Sequence, residues 1–238
     1  MAYGVDIEPG NWTPIRNQVF TDILGDLKGR HAAALYLYLY DWAYHSPSKS
    51  IVATVAELAR LTGIDARTAN KCLAELRQLE LIRQVRQGIK HSKAKTRRPV
   101  WKVPLAPVDL REGNWTPVPR NLVRDYFPAY PNAVLLPLLI FYQHMNRQKF
   151  CWVGVTTLRK RLNWRATRVR DSLRYMFDEK NWRSLHPDLP WPLKCKPVTN
   201  KEGQRRRRFS VLAIEYEGSG KTAKMRLSKS FRMAFDLL

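Results

Sequence analysis

The chain is predicted to fold as an α+β protein, mainly α, in which one small module is used twice. Three observations carry that prediction. The run Gly10, Asn11, Trp12, Thr13, Pro14, Ile15 returns as Gly113, Asn114, Trp115, Thr116, Pro117, Val118. Each copy is followed by an apolar segment and then by two amphipathic segments at helical spacing around a tight turn. Each set then closes on two strand-like stretches that flank a basic run. The 238 residues have room for two domains of roughly 100–130 residues. The boundaries expected are 1–104 for the first domain, which ends on Pro104, 105–112 for a stiff linker carrying Pro107, and 113–238 for the second.

In the first half, residues 35–40 alternate Leu and Tyr as a strand would, but the length of the apolar segment 32–44 and its Ala32, Ala33, Ala34 start favour a buried helix. Residues 54–61 place Val55, Leu58, Ala59 and Leu61 on one helical stripe, which Gly63 ends by tolerating positive φ. Asp65 stands as the N-cap of a second helix with Ala69, Cys72, Leu73 and Leu76 on its apolar side. Ile82 to Arg86 and Val100 to Val103 read as strands around a basic stretch. A helix-turn-helix followed by such a hairpin is the winged-helix order, so the expected architecture is two tandem winged helix-turn-helix domains related by internal duplication.

The second half follows with a shift of 100. Val155, Leu158, Ala166, Leu173 and Met176 meet Val55, Leu58, Ala66, Leu73 and Leu76. Asn163 replaces Gly63 at the turn and also accepts a left-handed conformation. Residues 133–145 form the matching first helix, with Pro137 expected to kink it. Residues 194–198 and 209–216 are the expected wing strands, around a tip holding Lys201 and Arg205 to Arg208.

Charge narrows the partners. The chain carries 42 Lys and Arg against 20 Asp and Glu, a formal net charge of +22. Such self-repulsion is most simply relieved by a polyanion. To residue 112 there are 17 basic and 11 acidic residues, and beyond it 25 and 9, so the second half is much the more basic. Cys72, Cys151 and Cys195 are too scattered for a disulfide framework or a zinc site and suit a reducing cytoplasm. Asp6 and Glu8 stand where a signal peptide would be basic. The apolar run from Val134 to Tyr142 is about half the length of a membrane span, so no membrane partner is expected.

The polar face of the second helix in the first unit offers Arg67, Thr68, Asn70 and Lys71. Arg and Asn match the forked acceptor and donor patterns of guanine and adenine, while Lys and Thr hold phosphates. The equivalent face of the second unit holds Arg165, Thr167, Arg168, Arg170 and Arg174, whose mutual repulsion a phosphate backbone would relieve. The first wing adds Lys90, Lys93, Lys95, Arg97 and Arg98. The second adds Lys201, Arg205, Arg206, Arg207 and Arg208. Trp12 and Trp115, each shortly before a proline, read as structural anchors rather than as base-stacking platforms.

Catalytic chemistry finds little footing. Gly218, Ser219, Gly220, Lys221, Thr222 resembles the end of a phosphate-binding loop, but Glu215 replaces the required glycine, and a hairpin turn is expected instead. His31, His45, His91, His144 and His186 make no metal-binding spacing. The expectation is a non-enzymatic protein without cofactor or metal.

Residues 54–82, closing on Leu79, Glu80, Leu81, Ile82, resemble the winged helix-turn-helix domains of bacterial regulators and replication proteins. Taken with the second unit, the chain resembles plasmid and phage replication initiators built from two tandem winged helices. That resemblance implies sequence-specific binding to repeated elements of an origin in double-stranded DNA, and recruitment of replication machinery such as a helicase or its loader. It further implies that Arg67, Asn70 and Lys71 read one major groove and Arg165, Arg168 and Arg170 the next. A transcriptional repressor acting as a homodimer, and a non-catalytic subunit of a nucleoprotein complex, use the same modules and stay open. Monomer and homodimer are both compatible with the residues.

Overall fold

The first copy of the repeat is a strand, β1 (Trp12–Arg16), followed by a π-helical turn (Val19–Ile23) and a short helical turn, α1 (Leu24–Asp26). The alternating Leu and Tyr run lies in a long helix, α2 (Arg30–His45). Every side chain from Ala32 to Asp41 is buried, so the helix is covered all round and the period-2 alternation carries no strand signal. A short strand, β2 (Ser50–Val52), leads to α3 (Val55–Thr62) and α4 (Ala66–Gln78). Strands β3 (Arg83–Ile89) and β4 (Arg98–Lys102) then pair antiparallel, with β2 on the other side of β4. The second copy of the repeat is β5 (Trp115–Pro119), and α5 (Asn132–His144), α6 (Val155–Leu162), α7 (Ala166–Phe177) and α8 (Glu179–Leu185) follow. Two antiparallel pairs close the chain, β6 (Leu193–Thr199) with β7 (Arg205–Val211) and β8 (Ile214–Glu217) with β9 (Lys224–Leu227). The protein is thus α+β and mainly helical with small antiparallel sheets. This computed structural model describes residues 12–27, 30–89, 98–104, 115–120, 123–124, 128–144, 153–187, 193–199, 205–211, 214–217 and 224–227.

The two copies of the repeat pair with each other. β1 runs antiparallel to β5 with Trp12 opposite Pro119, Pro14 opposite Pro117 and Arg16 opposite Trp115. Proline has no N–H to donate, so a proline pair fits an antiparallel ladder only at a position that exchanges no hydrogen bonds. Pro14 and Pro117 set that parity, Pro119 falls on the same parity, and the ladder bonds are left to Thr13 with Val118 and Ile15 with Thr116. The outward-pointing carbonyl of Pro14 accepts the Tyr40 hydroxyl at 3.3 Å. Burial raises the pKa of that hydroxyl to about 12, so it remains a donor.

The segments that follow these strands reach across to the opposite half. The π-helical turn and α1 pack on α5 and α6. A Cβ on Gly25 would stand 2.5 Å from the Arg161 carbonyl oxygen, so the two backbones meet where only glycine fits. In return Arg120 and Arg124 reach the buried Asp41 of α2, their Nε atoms 3.2 Å and 2.8 Å from its carboxylate oxygens. Thr13 Oγ1 donates to Asp41 Oδ1, and Thr116 Oγ1 donates to Asn17 Oδ1 at 2.7 Å. One buried apolar cluster accordingly runs through both halves, taking Leu37, Leu58 and Leu76 from the first and Leu139, Leu162 and Met176 from the second. The expected linker, residues 105–112, lies outside the described residues.

Three features differ from the reading of the sequence. Arg205 to Arg208 are not a loop tip but the first residues of β7, paired with Thr199, Val198, Pro197 and Lys196. The ladder is made by backbone groups, which four arginines supply as well as any residues. The strand expected over 209–216 is divided, ending in β7 at Val211 and resuming as β8. Finally α8 has no counterpart after α4: Asp178 caps it by accepting from the Asn181 N–H at 3.0 Å, and its Trp182 is buried beside Tyr130, Tyr175 and His186.

Candidate nucleic-acid interface

Local chemistry sets α3 and α4. Thr54 and Glu57 form a reciprocal capping box at the start of α3, and Gly63 ends it in the left-handed region at φ 65°. Asp65 caps α4, accepting from the Thr68 N–H at 2.9 Å and from the Thr68 hydroxyl at 2.5 Å. These hydrogen bonds from Thr68 hold the Asp65 carboxyl below its ordinary pKa. Ala69, Cys72, Leu73 and Leu76 face the core. Burial raises the Cys72 thiol to about 11, which makes it a packing residue rather than a nucleophile.

The opposite face of α4 is open to solvent. Arg67, Asn70 and Lys71 are exposed, and Ala74, Arg77 and Gln78 extend their stripe along the helix. Thr68 is half-buried and its hydroxyl is engaged with the cap, so it is a weaker candidate than its neighbours. Arg77 and Gln78 were absent from the sequence-based set, although their i+3 and i+4 spacing from Ala74 was legible.

The second pair repeats the plan with a different surface. Asn163 ends α6 in the left-handed region at φ 51°. Arg165 occupies the N-cap of α7 without a side-chain capping bond, while Val169, Leu173 and Met176 turn inward. Arg165, Thr167, Arg168, Arg170 and Arg174 are all exposed, and so are Arg159 and Lys160 of α6, which the sequence reading passed over. Arg174 lies 3.6 Å from Asp171, both highly exposed, a pairing of little energetic weight. Residues 155–177 carry seven basic side chains and one acidic, against four and three in residues 55–78. Half of the ten-charge difference between the two halves therefore falls on this pair of helices.

The remaining candidates belong to the hairpins. Arg98 opens β4 opposite Ile89, while Lys90, Lys93, Lys95 and Arg97 lie outside the described residues. Arg205, Arg206, Arg207 and Arg208 stand in β7, and Lys201 lies outside the described residues, as do residues 218–223 between the paired strands β8 and β9.

The two anchoring tryptophans are accounted for: Trp115 is buried and Trp12 packs against the core. Among the described residues no cluster of three His, Cys, Asp or Glu side chains is placed to hold a metal ion, and no helix is long and apolar enough to cross a membrane. No protein-family model matches the chain, and no curated protein is significantly similar to it in sequence.

Proposed function

We propose that the chain is a non-catalytic, sequence-specific double-stranded DNA-binding protein that uses two winged helix-turn-helix units in tandem. The observation that carries this reading is the pair α4 and α7. Each follows a left-handed turn, buries one apolar stripe and presents exposed forked or cationic side chains on the other side. A helix of about 10–12 Å diameter with that face is what a major groove admits. Arg67, Asn70 and Lys71, on the less charged pair, are suited to choosing bases; Arg165, Arg170 and Arg174 add charge that holds phosphates. Replication initiation at repeated origin elements is the role that the tandem arrangement favours within one chain.

Selection of bound duplexes from a random library, followed by footprinting, tests this. Two helices on one chain should protect grooves about 10 bp apart within an asymmetric footprint of roughly 20 bp. Contacts confined to one groove would remove the tandem reading, and a palindromic consensus would point instead to a homodimeric repressor. Replacing Arg205 to Arg208 with Ala should weaken binding to every sequence and flatten its salt dependence, whereas Arg67→Ala should relax specificity.

A further inference from the structure

Among the candidate contacts whose side chains are described, Arg168 is the one held against an aromatic ring. Its guanidinium carbon lies 4.0 Å from the centre of the Trp164 ring, a stacked cation–π contact. Trp164 sits in the turn between α6 and α7, its backbone N–H donating to the Arg159 carbonyl at 3.3 Å and its side chain packed against the common core. The ring is thereby fixed from below while Arg168 stays exposed above it.

The nature of the contact matters. A salt bridge holds an arginine by spending its N–H donors and cancelling its charge. Stacking restrains the guanidinium plane and leaves its five donors and its charge available. A long side chain is then partly ordered before any ligand arrives, which lowers the entropic cost of a directional contact. The corresponding pair in the first unit cannot do this: Ile64 stands for Trp164 and Thr68 for Arg168, and the Thr68 hydroxyl is engaged by Asp65.

We propose that Trp164 is a positioning residue that holds the Arg168 guanidinium ready to read a guanine edge in the major groove. The inference rests on the duplex DNA reading above and deepens it. A phosphate can be held by any of several cations, and Arg165 at the N-cap of α7 with Arg170 and Arg174 along it are placed for that purpose. The O6 and N7 acceptors of guanine demand an aligned planar fork. The second unit therefore contributes specificity at one base pair besides its charge.

The test uses the full chain with the consensus duplex selected by the wild type, and its single-pair variants, at one fixed salt concentration. The wild type should discriminate against loss of one G·C pair by about 5- to 150-fold. Arg168→Lys, at an exposed position, should reduce that ratio to within about threefold while keeping the charge. Trp164→Leu should do the same without changing affinity for random duplex or its salt slope, and Trp164→Phe should retain most of the discrimination. Thermal melting reports whether Trp164→Leu folds; if it does not, Arg168→Lys and Trp164→Phe carry the test. Full discrimination in Arg168→Lys, or an equal loss of affinity for all sequences in the Trp164 variants, would overturn the proposal and leave the DNA reading standing. A wild type that retains no duplex would overturn both.

Discussion

Asp41→Asn should weaken the whole molecule, because the carboxylate joins the two halves at a site that water scarcely reaches. The Asp41 side chain is 1% exposed and receives Arg120 Nε, Arg124 Nε and the Thr13 hydroxyl. Breaking a fully buried ion pair by removing one partner costs about 3–5 kcal/mol, mostly from the charge left behind. Here the arginines left behind are 27% and 38% exposed, so their head groups can regain part of their hydration and the cost should fall to about 2–3 kcal/mol. At roughly 2–4 °C per kcal/mol for a chain of this size, Tm should drop by roughly 4–12 °C.

Denaturant titration of Asp41→Asn, Arg124→Gln and the double variant would measure the pair directly. Residues in one network couple, so the double variant should be more stable than the sum of the single effects predicts, by about 1 kcal/mol or more. Strict additivity, or an Asp41→Asn chain within about 0.5 kcal/mol of wild type, would refute the idea that this carboxylate ties the halves together.

Three further outcomes follow from the same geometry. Gly25→Ala should cost about 1–3 kcal/mol, because the added methyl meets the Arg161 backbone rather than a movable side chain; an unchanged denaturation midpoint would show that α1 and α6 do not touch. Glu80, exposed at φ 57°, should give about 0.5–1 kcal/mol of added stability on Glu80→Gly, the relief of left-handed strain exceeding the entropy that glycine costs; a loss of stability in thermal melting would contradict this. Burial and the nearby Arg120 and Arg124 lower the His45 pKa, against the opposing pull of Asp41. The unfolded chain therefore binds the proton more readily, so stability present above pH 6.5 should decline as pH falls from 6.5 towards the folded pKa. His45→Gln should flatten that decline in melts between about pH 7.5 and 5.5; an unaltered slope would exclude His45 as its source.

The groups that surround His45 explain why this part of the molecule was not legible in the sequence. Asp41 belongs to its own helix, Thr13 lies on β1, and Arg120 and Arg124 come from beyond β5. A local pattern cannot reveal such partners, and Asp41 reads as an ordinary polar break in an apolar helix. The α3 and α4 pair was legible for the opposite reason. Its capping box, its left-handed glycine and its Asp65 cap each act within a few residues, and the apolar stripes agree with them. Between these extremes lies the repeat, visible as a recurring phrase but not as a strand pair, since only the placement of Pro14, Pro117 and Pro119 on one parity shows how its copies meet. Of the candidate contacts, the exposed faces of α4 and α7 were read from helical spacing alone. The Trp164 and Arg168 stack has an i, i+4 spacing but needed the turn geometry to show that the ring was available.

Under the DNA reading, the shared core changes what α4 and α7 can do. A proline-bearing linker was the expected source of a set distance between the units; the β1 and β5 ladder, the crossing of α1 onto α6 and the Asp41 cluster are stronger ones. Helices on a flexible tether reach many spacings, each at a modest effective concentration. Helices mounted on one packed body reach few spacings, but meet the second groove with little further loss of entropy. Under the DNA reading, affinity should then depend steeply on the phase between the two contacted grooves, and a weakly selective α7 would still sharpen recognition by α4 by requiring both contacts in register. The unequal charge of the two surfaces fits that division. A strongly basic second face adds affinity at any sequence, and the rigid coupling to the first face converts that affinity into selectivity for a site of the right length.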